Sequence, residues 1–115
     1  MDSFVIRRFE KPDETINFDK GRFETVRIGS LTVGRATYEP GWRWSEHAKG
    51  STPSCQLEHV ILVVSGRTAI AMDSGQHIEL GPGDLAYIAP GHDAWVLGDE
   101  PYVSLHFLGA EQYGK

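Results

Sequence analysis

The chain has 115 residues, a formal charge of −5 and a hydrophobic fraction of 40%, which fits one globular domain and excludes a disordered segment. No basic stripe is available to neutralise phosphates, since Arg7-Arg8 with Lys11 is interrupted by Glu10 and Asp13, so nucleic acid is excluded as a partner. The longest apolar run, Val60–Val64, is far below the length of about 20 residues that spans a bilayer, and the first residues lack the pattern of a secretory signal, so a soluble cytoplasmic protein is expected.

In chain order, apolar alternation and turn residues predict strands at Phe4–Phe9, Arg22–Ile28, Leu31–Tyr38, Gln56–Ser65, Arg67–Met72, His77–Leu80, Leu85–Ala89, Trp95–Leu97 and Tyr102–Leu108. Residues 11–21 read as a polar surface arm or crossover. "IGSL" and "DSGQ" are tight hairpin turns, in which glycine supplies positive φ, whereas "LGPGD" and "APGHD" are broader corners. The run from His59 to Ser65 is apolar on both parities and is expected to be central and covered on both faces. Nine short strands at this spacing predict an all-β sandwich or barrel in a single domain, 1–115.

The stretch from Gly41 to Gly66 concentrates potential metal ligands: His47, the lone Cys55 and His59. A single cysteine forms no internal disulfide, and in a reducing compartment it is either a small core hydrophobe or a thiolate ligand. Cys55 and His59 are four apart, so an extended strand points both the same way, and the loop after His47 can fold back to bring that ring alongside. His92 lies in a corner of the kind that lines a barrel mouth. Imidazole and thiolate together suit borderline-soft divalent ions such as zinc or ferrous iron. A buried histidine taken singly is more often a satisfied core residue than a ligand, so spacing leaves both readings open. Trp44, Tyr87, Trp95 and His106 are candidate pocket-lining residues, weighed against ordinary core and sheet packing. His77 alternates against Ile78 and Leu80 and is assigned to solvent. No phosphate-cradling loop, nucleophile elbow or zinc-protease helix is present.

The sequence resembles a small single-domain cupin, a double-stranded β-helix or jelly-roll barrel of the cupin-2 type. Gly41, five residues and His47 match the start of the first cupin motif, and His59, six residues and Gly66 match its end. Gly83 and Gly91 take the two glycine positions of the second motif, with Pro90 one place late. The likeness covers about Thr32 to Leu108 as the barrel core, with residues 1–30 as N-terminal strands or arm. It implies a divalent metal inside the barrel, zinc or iron first and manganese or nickel as alternatives, held by His47, Cys55, His59 and His92. His59 stands where the family has glutamate, Cys55 where it has its second histidine, and Ala94 where it has the last histidine, two residues after His92. The resemblance further implies a small-molecule ligand in the barrel interior and a homodimer formed through "FVIRRF". A non-catalytic ligand-binding or sensory cupin, with structural zinc or no metal, is the alternative.

Overall fold

A computed structural model describes residues 3–48 and 52–113. Nine strands form two antiparallel sheets: β1 (Glu14–Phe18), β2 (Gly21–Ile28), β3 (Leu31–Tyr38), β4 (His59–Ser65), β5 (Arg67–Met72), β6 (His77–Leu80), β7 (Leu85–Ile88), β8 (His92–Leu97) and β9 (Tyr102–Leu108). The larger sheet runs β1-β2-β3-β9-β4-β7 and the smaller β6-β5-β8. Their inner faces share one core, in which Phe23, Ala36, Ile61 and Val63 of the first sheet meet Ile70, Leu80 and Val96 of the second. A side-chain period of two determines which residues reach it. In β4, His59, Ile61 and Val63 turn inward, while Val60 and Leu62 are half-buried on the outer face and Val64 is exposed. The expectation that β4 is covered on both faces is therefore not met.

The N-terminal third differs most from the sequence reading. The segment from Phe4 to Phe9 is not a strand; Phe4 and Ile6 are 85% and 86% exposed. The strand lies instead in the polar stretch, where Glu14–Phe18 pairs with β2 from Glu14↔Thr25 to Phe18↔Gly21. Asp13 anchors this edge by accepting from the Arg27 backbone N–H at 2.7 Å and from the Arg7 guanidinium at 2.8 Å.

Two local features bear on the interior. Residues Trp44–His47 form one helical turn, α1, rather than a strand. Arg43 and Cys55, on either side of α1 in sequence, each bridge to β8, at Trp95 and His92 respectively. The loop between them includes Lys49, Gly50 and Ser51, which lie outside the described residues, so its expected fold-back is described only at its two ends. At the other end, Gly109 turns the chain with φ +90° into a 3₁₀ turn, Ala110–Gln112, which delivers Tyr113 to the core. A Cβ on Gly109 would lie 2.4 Å from the Glu58 carbonyl oxygen, so only glycine permits this approach.

Candidate metal centre in the barrel interior

Cys55, His59 and His92 converge between the sheets. One ligand atom from each lies within 4.8 Å of the others, and all three side chains are buried. The chain crosses from one sheet to the other between Cys55 and His59, and this crossing produces the convergence. Cys55 joins the edge of β8 through a paired exchange: its N–H donates to the His92 carbonyl at 2.7 Å, and the His92 N–H donates back at 3.2 Å. Directly opposed residues of an antiparallel pair share a face, so thiol and imidazole project together. His59 then opens β4 on the facing sheet, with its Nε2 3.6 Å from Cys55 Sγ and its ring centre 5.2 Å from that of His92.

His92 reaches inward because β8 begins at His92, three residues earlier than the sequence indicates, and this gives His92, Ala94 and Val96 one parity. Its Nδ1 lies 2.8 Å from the Ala89 carbonyl, which requires an N–H at that position and leaves Nε2 as the lone-pair atom. His59 Nδ1 makes no hydrogen bond, although the Leu108 main chain beside it favours the protonated ring. Burial dominates the electrostatics of all three residues. It lowers the His59 pKa to about 4, helped by nearby His92 and opposed by Leu108. It also lowers His92, against the opposing pull of Ala89, Asp93 and Asp73, and raises the Cys55 thiol. At neutral pH the three groups are therefore uncharged, and an ion that binds them displaces a thiol proton.

His106 stands beside the group, 5.3 Å from His59 between ring centres, on a strand whose register pairs it with both Gly34 and Ile61. Its Nε2 is 3.2 Å from Ser104 Oγ and its Nδ1 has no partner. Phe23 meets it edge-on at 5.1 Å, in the space that the missing Cβ of Gly34 opens for the Phe23 ring. Burial, then His59 and His92, drives the His106 pKa well below the ordinary imidazole value.

His47 is not part of the group. Helix α1 turns it toward its own backbone, where Nδ1 accepts from the Arg43 N–H at 2.9 Å, and its Nε2 faces the Asp19 carboxylate at 3.6 Å. A strand through residues 44–47 would have aimed it elsewhere; one helical turn changes the periodicity. Asp93 fixes this turn by accepting from the Ser45 N–H at 3.0 Å, the Ser45 hydroxyl at 2.8 Å and Arg43 Nε at 3.0 Å.

The three residues open onto a cavity of about 50 Å³, enough for an ion with a few waters or a ligand of a few heavy atoms. Trp44 and His106 lie on its wall, with Trp42, Tyr38, Tyr102 and Tyr113, and none of its described lining residues is Asp, Glu, Lys or Arg. Tyr87 and Trp95 occupy the outward parity of their strands. Tyr87 is exposed and donates to Glu58 at 2.7 Å, and the Arg43 guanidinium covers the Trp95 ring at 4.5 Å. Neither belongs to this wall. Tyr87 instead borders a more open groove of about 600 Å³ with Ile78 and Met72, where no set of donor atoms converges among the described residues. Tyr113 is absent from the sequence-derived candidates; the only local signal for it is the tail "GAEQY" after the last strand.

No family model matches this chain, and no curated protein does. Solved structures do. A mutant of Bacillus subtilis oxalate decarboxylase superposes with a TM-score of 0.66 at 20% identity, over 88% of this chain and 29% of that one. Lactobacillus farciminis oxalate decarboxylase, in a formate complex, gives 0.63 at 16% over 84% and 30%. A Rhizobium leguminosarum protein of unknown function gives 0.57 at 21% over 76% and 78%. The chain thus spans less than a third of the length of the decarboxylases it matches. These likenesses establish the fold alone: the chain has a cupin-type fold, all-β, with two antiparallel sheets that enclose a common interior.

Proposed function

We propose that this chain is a metal-binding cupin that holds a divalent ion at Cys55, His59 and His92 and binds or transforms a small organic metabolite in the barrel interior. The observation that carries this reading is the disposition of three donor atoms within 4.8 Å of one another in a buried cavity. The donor chemistry fits an ion: one thiol, two imidazoles held neutral, and a tautomer of His92 set by Ala89. Sulfur among the donors favours zinc or ferrous iron over manganese or nickel. The Bacillus subtilis oxalate decarboxylase studied for its Mn(II) centres is a neighbour in fold, and the thiolate of this chain argues for a different ion. Three protein ligands leave a coordination position open, and a bound ion there supplies Lewis acidity to a ligand oxygen. Around it, Ala89 orients His92, while Ile61, Ile70 and Ile88 keep bulk water from the wall. A lone free thiol needs no oxidising compartment, which is compatible with a cytoplasmic location.

The alternative is a non-catalytic cupin with a closed structural zinc, and the proximity of His106 to His59 favours it to the extent that His106 becomes a fourth ligand. Its contact with Ser104 holds the ring back. We also infer a homodimer. Leu105, Leu62 and Leu85 form a row across the outer faces of β9, β4 and β7, continued by exposed Val64, Tyr87 and Phe107. Such a contiguous apolar face favours a partner surface.

The test is metal analysis of untagged protein, with zinc and iron offered separately against a chelating dye. One ion per chain is expected, with affinity falling at least 100-fold in Cys55→Ala and His92→Ala. Wild-type protein that takes up neither ion, and whose melting temperature is unmoved by EDTA, would refute the proposal.

A further inference from the structure

The cavity wall carries hydrogen-bond donors that are left unmet. Tyr38 closes β3 and Tyr113 follows the 3₁₀ turn, and their hydroxyls hydrogen-bond to each other while both phenols are more than nine-tenths buried. Two phenols carry two hydroxyl hydrogens, and one mutual bond uses only one of them. The second has no acceptor among the described residues. Trp42, stacked on Tyr38 at 3.7 Å, adds an indole N–H that is likewise buried and unpartnered. All three residues line the cavity into which Cys55, His59 and His92 converge. The stack of Tyr113 on Phe23, at 3.9 Å, holds the pair in place.

We propose that the Tyr38–Tyr113 pair is the recognition subsite for a small monocarboxylate, donating its spare hydroxyl hydrogen to a carboxylate oxygen of a ligand held at the metal centre. This rests on the metal-binding reading above. Three properties of the cavity select that class. The spare phenol hydrogen and the Trp42 N–H are unmet donors on the wall, and a ligand with acceptor oxygens satisfies them. A divalent ion with one thiolate and two neutral imidazoles carries one net positive charge, and no described lining residue is Asp, Glu, Lys or Arg, so a monoanion completes the balance. A cavity of about 50 Å³ admits only a few heavy atoms. Burial raises the pKa of both phenols, so they remain donors throughout the neutral range.

The probe is acetate titrated into cobalt-loaded protein, followed by the visible absorption of the cobalt ion, with acetamide as the neutral control. Tyr113→Phe and Tyr38→Phe each remove a hydroxyl and keep the ring, and thermal melts establish that each variant is folded. Acetate affinity is expected to fall about tenfold in each variant, as for loss of a hydrogen bond to a charged group, with cobalt affinity unchanged. Acetamide is expected to bind wild type at least tenfold more weakly than acetate does. Cobalt-loaded wild type that binds no acetate, or folded variants that bind it as tightly as wild type, would overturn the subsite and leave the metal centre standing. Failure of wild type to bind cobalt, zinc or iron would overturn both.

Discussion

Three imidazoles held neutral in one cavity make the stability of the metal-free protein depend on pH, and His59 permits the magnitude to be worked. Its pKa is about 4 in the fold against 6.5 when unperturbed. The folded state therefore binds fewer protons than the unfolded chain between these values. As pH falls below about 6.5 the unfolded chain takes up the proton and stability declines; the decline stops below about 4, where both states are protonated. Between pH 7 and pH 5 the expected loss from His59 alone is about 2 kcal/mol. His92 and His106 are shifted in the same direction and add to the wild-type loss. The assay is urea unfolding at both pH values in EDTA, on wild type and His59→Gln. The variant should lose about 2 kcal/mol less than wild type over this interval, because every other titrating group is shared. Removing His59 also relieves His106, whose shift owes part of its size to His59, and this widens the gap. An equal loss in the two proteins would refute the claim that burial holds His59 neutral.

Gly109→Ala should destabilise the fold by about 2 kcal/mol or more, because it combines a left-handed φ with a Cβ 2.4 Å from the Glu58 carbonyl oxygen and 3.0 Å from His59 Nδ1. Chemical denaturation measures this, and an unchanged midpoint would contradict the packing described. Leu85→Lys and, separately, a Phe4→Asp/Ile6→Asp pair should convert a dimer to a monomer if their surfaces form the interface, as read by light scattering across a concentration series. If only Leu85→Lys acts, the sheet face and not the N-terminal segment is the interface.

The composition, the turn chemistry and the strand alternation determine much of this protein by themselves. Eight of the nine predicted strands recur at or within three residues of their observed limits, because a period of two reports directly which side chains face a core. The same parity turns His59 inward, and Cys55 lies close enough in sequence to be grouped with it. The N-terminal assignments failed for the opposite reason: the apolar Phe4, Val5 and Ile6 of "FVIRRF" stay exposed, while the polar "ETINF" becomes an edge strand because β2 offers a free row of backbone groups. Strand pairing of that kind depends on a neighbour and not on local pattern.

Only the tertiary structure decided the membership of the site. His47 has a metal ligand's chemistry and a motif's spacing, yet one helical turn held by Asp93 directs it to Asp19. Cys55 meets His92 through a backbone exchange between residues 37 positions apart, and Tyr113 reaches Tyr38 across 75. A sequence specifies the face on which a side chain lies. Which faces then meet is set by register and by how the chain crosses between sheets, and those are long-range properties of the two-sheet fold.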